Sequence, residues 1–241
     1  MKRNVLMVIV GLALISGPAM ADSLTVNATA AMNGTNFGLE LSHDNSSVAY
    51  VQDDTPAGES IYRFSYLFDP NSVAGTGSGD WTMTLFGAMG PNPRPNNGAN
   101  PCPLNANIPV FPMRVTLIAT GAGSSTPVVR ATMMSNICGV VGASAFVLSP
   151  SGPAKICGYF IQGVGPVPGP QSPGEVGIAV VGTGDACPSD GDPSYKTVST
   201  NNDEHNVTLA RMGSLGTNGF GAGENGSVYY DEFESFRTLA P

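Results

Sequence analysis

Ser60-Ile61-Tyr62-Arg63-Phe64-Ser65-Tyr66-Leu67-Phe68-Asp69 is the stretch that decides the fold of this chain. Aromatic side chains occupy every second position in its middle, and Arg63 and Ser65 alternate with them. A period of two places alternate side chains on the same side of a β-strand. We therefore predict a strand whose aromatic side faces a core between two sheets, with these residues on it: Tyr62, Phe64, Tyr66 and Phe68.

The same alternation recurs outward from this stretch. Trp81, Met83 and Leu85 alternate with threonines, and Val115 and Leu117 do so in a later segment. Gly, Asn, Asp and Pro separate the segments, as they do at turns between strands. The pattern predicts an all-β, two-sheet antiparallel sandwich of about a dozen strands, the others at 24–30, 37–42, 48–52, 128–134, 144–149, 155–161, 175–181, 206–212 and 227–237.

The composition excludes some partners. The 241 residues include 31 glycines and 20 prolines, only 12% are charged, and the net charge is −8. Few charges and many turn formers are typical of extracellular β proteins with short strands. A nucleic acid partner is disfavoured, because phosphate binding needs clustered positive charge.

The first 21 residues have the pattern of a signal peptide. Lys2 and Arg3 precede an apolar run at 5–15, and Ala19-Met20-Ala21 offers small residues at a cleavage site before Asp22. The apolar run is well short of the roughly 20 residues that span a bilayer. We therefore expect a secreted, periplasmic or cell-surface protein with no membrane span after cleavage, and one domain at 22–241 with a Pro-rich insertion around 90–112.

Four cysteines in an exported chain favour two disulfides. No Cys-x-x-Cys pair argues for zinc, and three connectivities are open. We favour Cys138 with Cys157, because both occur in adjacent strand-like segments. Cys102 would then pair with Cys187 and connect two long loops.

Two segments resemble bacterial secreted proteins of the concanavalin A-like, laminin G-like jelly-roll type. The first comprises Gly38-Leu39-Glu40-Leu41, Ala49-Tyr50-Val51 and Tyr62-Arg63-Phe64. The second is the closing run Gly226-Ser227-Val228-Tyr229-Tyr230-Asp231-Glu232-Phe233-Glu234-Ser235. The resemblance implies that the first and last strands share a sheet, and it implies an extracellular setting. It implies no single activity, since related jelly rolls include lectins, adhesive modules and polysaccharide hydrolases.

Glycoside hydrolysis requires two carboxylates at the scissile bond. In the laminarinase-like hydrolases of this fold they lie on one strand as Glu, any residue, Asp, any residue, then Glu one or two positions later. The nearest cluster here is Asp231, Glu232 and Glu234, which does not match. Unless a bulge intervenes, Glu232 and Glu234 share one side of the strand and Asp231 lies on the other with Phe233. We expect Asp231 to bind backbone donors or to turn the closing strand.

No other catalytic group stands out, and we predict no catalytic residue. His43 and His205 are the only histidines, neither accompanies a Gly-x-Ser-x-Gly motif, and His205 is expected in a solvated turn. One loop concentrates Asp185, Asp190 and Asp192. Because Ca²⁺ prefers oxygen ligands, these three aspartates are a candidate calcium site, and we predict no other cofactor.

The ligand-binding residues are not identified by the sequence. Trp81 is expected in the core rather than stacked on sugar, while Tyr50, Tyr195 and Tyr229 are left open. The leading hypothesis is a non-enzymatic, lectin-like module that binds a glycan or a surface protein. The alternatives are a self-associating extracellular structural protein and, more weakly, a polysaccharide hydrolase.

Overall fold

The computed structural model describes residues 22–43, 48–75, 81–90, 111–119, 127–135, 141–165, 172–203, 205–215 and 224–237. Within these ranges the chain forms β-strands and no helix. The strands in chain order are β1 (Ser23–Asn27), β2 (Gly38–His43), β3 (Ala49–Asp53), β4 (Ile61–Asp69), β5 (Ala74–Gly75), β6 (Trp81–Met89), β7 (Met113–Ala119), β8 (Val128–Met134), β9 (Val141–Leu148), β10 (Ala154–Ile161), β11 (Gly174–Val181), β12 (Lys196–Thr200), β13 (Leu209–Ser214) and β14 (Glu224–Phe236).

The strands form two antiparallel sheets. Sheet A has the order β1-β2-β14-β4-β10-β11-β12, with the two-residue strand β5 paired to the start of β14. Sheet B has the order β3-β13-β6-β7-β8-β9. The predicted fold class, a two-sheet jelly-roll sandwich, is confirmed. The expectation that the first and last strands share a sheet is also confirmed, since β14 pairs with β2 and β2 with β1.

Strand β4 lies at the centre of sheet A and supplies the aromatic side of the core, as its alternation predicts. Its four alternating aromatic residues are at most 2% exposed. Phe64 stacks on Phe86 of sheet B, with 3.9 Å between ring centroids. Trp81 is also buried in this core. Burial of each such ring contributes about 1.5–3 kcal/mol, so the interface between the sheets holds the sandwich together.

Every predicted strand is present, with ends displaced by a few residues. Strands β5 and β12 were not predicted. Strand β5 has only two residues, and β12 (Lys-Thr-Val-Ser-Thr) lies at the edge of sheet A with its side chains half-buried or exposed. An edge strand of this kind has no buried apolar side and therefore no alternation to detect.

Several predictions concern residues outside the described ranges. The signal peptide at 1–21 and most of the Pro-rich insertion at 90–112 belong to this group, so both stay predictions. In the part of the chain that the structure describes, no helix is long and apolar enough to cross a membrane.

Candidate functional site

The acidic cluster of the closing strand is rearranged by a β-bulge. The register of β14 against β4 shifts between Asp231 and Glu234, and Glu232 within the bulge has a left-handed φ of 47°. Asp231 is opposite Leu67 and Glu234 opposite Ser65, two positions apart on one side of β4. The extra residue therefore puts Asp231 and Glu234 on the same side. The bulge is the exception that the sequence analysis allowed for, and the arrangement expected without it does not apply.

The bulge turns Phe233 toward the core, where its ring centroid is 6.2 Å from that of Phe86. The other side of β14 then carries Tyr229, Asp231 and Glu234. This order matches the hydrolase pattern in its last two positions, with two residues between Asp and Glu. The first position is a tyrosine, so the pattern lacks one of the two carboxylates that glycoside hydrolysis requires.

The carboxylate of Asp231 accepts three hydrogen bonds from the chain itself. One carboxylate oxygen accepts the Met32 amide at 2.9 Å and the Thr35 hydroxyl, and the other accepts the Glu232 amide at 2.8 Å. The expectation that Asp231 binds backbone donors is confirmed. It fixes the β1–β2 connection against the side of sheet A that faces away from the core, which we call the outer face.

A second connection covers the outer face of sheet A beside β10 and β11. Residues 182–195, here called the strap, join β11 to β12 and place Asp190 in contact with the guanidinium of Arg63. Arg63 also lies over the ring of Tyr159, 5.8 Å from its centroid. Tyr195 meets the same ring edge-on at 4.9 Å. The Tyr159 hydroxyl in turn donates to Glu175.

The strap is attached by a disulfide between Cys157 and Cys187. The predicted pairings of Cys157 with Cys138 and of Cys187 with Cys102 are therefore wrong. Strands β10 and β11 are hydrogen-bonded neighbours, and Cys157 on the outer face of β10 lies directly beneath the strap that carries Cys187. Cys102 and Cys138 lie outside the described residues.

The three aspartates of the calcium candidate lie in the strap but have separate partners. Asp185 accepts the Gly182 amide at 3.0 Å, Asp190 contacts Arg63, and Asp192 accepts the Ser194 amide at 2.8 Å. Across the described ranges, no three acidic, histidine or cysteine side chains are grouped so that they could hold a metal ion. Calcium binding by the strap stays a prediction without such a group to support it.

Both histidines are buried. The ring of His43 contacts Asp22 at 2.7 Å, and Nε2 of His205 lies 3.0 Å from the carbonyl oxygen of Ser135. His205 does belong to a turn, since its amide donates to the Asn202 carbonyl. It is only 3% exposed, however, so the prediction of a solvated turn is wrong.

Charge is divided unevenly between the two sheets. The strands of sheet A contain seven acidic residues, whereas those of sheet B contain one, Asp53 at the end of β3. Strands β6, β7, β8, β9 and β13 contain none. The same five strands carry three half-buried arginines on the outer face of sheet B. We call this surface the arginine face, and its arginines are Arg114, Arg130 and Arg211.

The strand register brings two of these arginines close together. Arg114 of β7 is opposite Thr132, and Arg130 of β8 is opposite Thr116. The two arginines are therefore diagonal neighbours on one side of the sheet, with Cα atoms roughly 7 Å apart. Thr116 and Thr132 are almost fully buried beneath them.

The partners of this pair are neutral. Arg114 lies 5.9 Å from the centroid of the Phe111 ring, and Nε of Arg130 donates to the Thr116 hydroxyl at 3.3 Å. Burial lowers the pKa of Arg114, and burial together with the charge of Arg114 lowers that of Arg130. Neither guanidinium has an ion-pair partner among the described residues.

Aromatic side chains accompany the arginines. Phe146 of β9 is directly opposite Arg130 and is 51% exposed. Arg211 lies over the ring of Tyr50 at 4.2 Å and donates to Gln52 at 2.6 Å. Sequence analysis missed this site, because the arginines come from three separate strands and only the register places them on one surface.

A small cavity of about 100 Å³ lies near Arg211, at the side of the sandwich where β3 and β13 approach β14. Ligand pockets usually measure roughly 300–1,000 Å³. This cavity is too small to hold a sugar chain. Its lining is Val51, Gln52, Asp53, Ala210, Arg211, Met212 and Phe233.

Sequence comparisons identify no relative: no family model matches the chain, and no curated protein does either. Among solved structures, the chain is similar to a PL-14 alginate lyase from Aplysia kurodai, with 12% identity, a TM-score of 0.46, and coverage of 90% of this chain and 87% of that one. It is also similar to a legume lectin-like domain from Entamoeba histolytica, with 7% identity, a TM-score of 0.41, and coverage of 89% and 90%. At these values the likenesses carry no functional conclusion.

Proposed function

We propose that the protein is an exported, non-enzymatic module that binds a glycan on the arginine face. The observation that carries this proposal is the half-buried pair Arg114 and Arg130, which has no ion-pair partner in the described part of the chain. Arginine presents a rigid planar set of donors suited to oxygen acceptors. Two such groups without an acid of their own favour an external ligand.

The neighbouring aromatic rings support a sugar in particular. Phe146 is exposed beside Arg130, and Tyr50 is 36% exposed beneath Arg211. Aromatic rings combine a large apolar surface with little flexibility and can pack against the C–H groups of a pyranose. Guanidinium groups next to such rings would bind the polar substituents of the same sugar.

The closing strand supports a non-enzymatic role. Asp231 already accepts three hydrogen bonds from the chain, and Tyr229 occupies the position where the hydrolase pattern has its first carboxylate. Glu234 is exposed on the same face, and the other carboxylate of this strand on that face is the hydrogen-bonded Asp231. A polysaccharide hydrolase is therefore the weaker candidate.

The alternative is a self-associating structural protein, and one surface favours it. Strands β1 and β3 are the edge strands on one side of the sandwich, and both carry exposed valines. Val26 of β1 is 69% exposed, and Val51 of β3 is 42% exposed. Unpaired edges with apolar side chains are sites where further strands can add. Sedimentation over a wide concentration range tests this, and a monomer throughout would count against it.

The test of the proposed function is a glycan-array and polysaccharide pull-down screen. The full chain is produced by export, so that any signal segment is removed, and is screened with and without calcium. Retention without release of sugars is the expected result. Release of sugars would overturn the non-enzymatic role, and loss of binding in chelator would support calcium in the strap.

A further inference from the structure

We infer that the ligand of the arginine face is a polyanionic glycan, whose carboxylate or sulfate groups are bound by Arg114 and Arg130 together. This inference rests on the proposed function and adds the chemical class of the ligand. It depends on three features of the site: the proximity of two cations, the absence of acids from the strands around these two, and the position of a third arginine.

The proximity of Arg114 and Arg130 is unfavourable in the unliganded protein. Like charges on neighbouring strands repel each other, and partial burial removes water that would screen them. An anion between the two guanidinium groups would reverse the sign of the interaction. Carboxylate and sulfate oxygens suit this geometry, because arginine binds such groups through two parallel hydrogen bonds.

The strands that carry Arg114 and Arg130, and the strands paired with them, contain no acid that could play this part. The five strands β6, β7, β8, β9 and β13 lack aspartate and glutamate, although acidic residues outnumber basic ones 18 to 10 in the whole chain. In such an acidic protein a basic surface is a local feature. The basic surface attracts anions, whereas the acidic remainder of the protein repels them.

Arg211 extends the site beyond one anion. It is opposite Gly87, and Gly87 is opposite Arg114, so the two arginines lie two strands or roughly 10 Å apart. A side chain at position 87 would collide with the ring of Phe111 and the side chain of Leu215, which occupy the space over this glycine. Cation, aromatic ring and cation thus follow one another across the strands.

This order suits a chain of acidic sugars that crosses the strands. One small anion cannot reach both Arg114 and Arg211, whereas a polymer with repeated charges can contact both. Phe111 between them, and Phe146 beyond Arg130, would pack against sugar rings. A nucleic acid has repeated charges too, but the net charge of −8 opposes its approach over any longer length.

The experiment measures affinity for four immobilised polymers: a neutral glucan, polygalacturonate, dextran sulfate and a single-stranded oligonucleotide. The variant is Arg114→Gln/Arg130→Gln. The matched control, Lys155→Gln/Lys196→Gln, removes two positive charges from strands β10 and β12 of sheet A. A third variant, Arg114→Lys/Arg130→Lys, keeps the charge and removes the paired hydrogen bonds.

We expect tight binding to polygalacturonate, dextran sulfate or both, and at least tenfold weaker binding to the neutral glucan. Loss of a charge-assisted hydrogen bond weakens binding about tenfold for each arginine, so the glutamine variant should lose roughly a hundredfold. The lysine variant should fall between them, and the control should stay within about twofold. Affinity should decrease as salt rises from about 0.05 to 0.3 M.

Binding to polygalacturonate alone identifies a carboxylate ligand, and binding to dextran sulfate alone identifies a sulfate ligand. Preference for the oligonucleotide would overturn the inference. So would equal binding of the neutral glucan, which would leave the proposed glycan-binding function standing. An unchanged affinity in the glutamine variant would overturn the inference as well, and it would also move glycan binding away from the arginine face. Binding of no glycan at all would overturn both. Unfolding midpoints of the variants show whether each is folded.

Discussion

Arg63 and the pair Arg114–Arg130 lie on opposite outer faces of the same sandwich and differ in their partners. Arg63 on sheet A contacts the carboxylate of Asp190, which the strap carries over it. Arg114 and Arg130 on sheet B have an aromatic ring and a hydroxyl as partners, and no carboxylate in the described ranges. Among the described residues, the chain supplies an acid to one basic site and none to the other.

The presence or absence of a carboxylate partner distinguishes an arginine with a structural role from one that is suited to bind a ligand. A buried cation that is matched by an acid of its own chain stabilises that contact and leaves nothing for a ligand. Two unmatched cations destabilise the unliganded protein slightly and favour whichever anion arrives. The two faces should therefore respond to mutation with opposite signs, in stability and in binding.

The largest effect is expected from the disulfide of the strap. The double variant Cys157→Ser/Cys187→Ser opens a link between residues 30 positions apart. A loop of that size gives a loss of about 3.6 kcal/mol in the free energy of unfolding, measurable by chemical denaturation. Binding on the arginine face should not change. Lys155→Gln is the control, since it removes only a hydrogen bond from Lys155 to the same strap and should cost less than about 1 kcal/mol.

The next effect concerns Arg63 and Asp190. Either Arg63→Met or Asp190→Asn leaves one charge without its partner, at a cost of about 2 kcal/mol. The double variant should recover about half of the summed loss. A double-mutant cycle by denaturation measures this coupling. Strictly additive losses would show that the contact contributes nothing to stability, and the comparison between the faces would fail.

The opposite sign is expected on sheet B. Arg114→Gln/Arg130→Gln relieves repulsion between neighbouring strands, so the free energy of unfolding should stay the same or rise by up to about 1 kcal/mol. The gain should shrink in high salt. Denaturation at two salt concentrations is the measurement. A loss greater than about 1 kcal/mol would mean that these arginines hold the sheet together, as Arg63 does on the other face.

The smallest effect is expected from an exposed pair, Asp53 with Arg237. Partial burial acts to raise the pKa of Asp53, but hydrogen bonds from Thr55 and the nearby Arg237 outweigh it and hold the pKa below the ordinary 3.8. A lowered pKa contributes stability above pH 4, and this is lost as the pH falls through the folded-state value. Asp53→Asn should cost less than about 1 kcal/mol at pH 6, and its difference from the wild type should vanish near pH 2. A difference that persists there would contradict this origin.

Much of the fold could be predicted, because alternation is a local property. The aromatic positions of β4 and the threonine positions of β6 already separate core from surface. The prediction of which side a residue faces failed where the pairing of a strand with its neighbour departs from the local alternation. The bulge in β14 reversed the orientation of Phe233 relative to Asp231, since one extra residue changes the side of every position that follows it.

The disulfide and the arginine face could not be predicted, for a related reason. Cys187 meets Cys157 because the strap folds back over β10, which is two strands away from β12 in sheet A. Arg114, Arg130 and Arg211 share a surface because the strands β13-β6-β7-β8 lie side by side, in an order that differs from the chain order. No spacing along the chain encodes either arrangement.

The period of apolar side chains along the chain already indicates which residues form strands and which side of most strands is buried. Tertiary packing then establishes which strands are neighbours, and with that which charges are matched. Arg63 lies against Asp190, and Arg114 lies beside Arg130. Both arrangements depend on contacts between distant segments, which arise from packing the whole sandwich and not from the preference of any one strand.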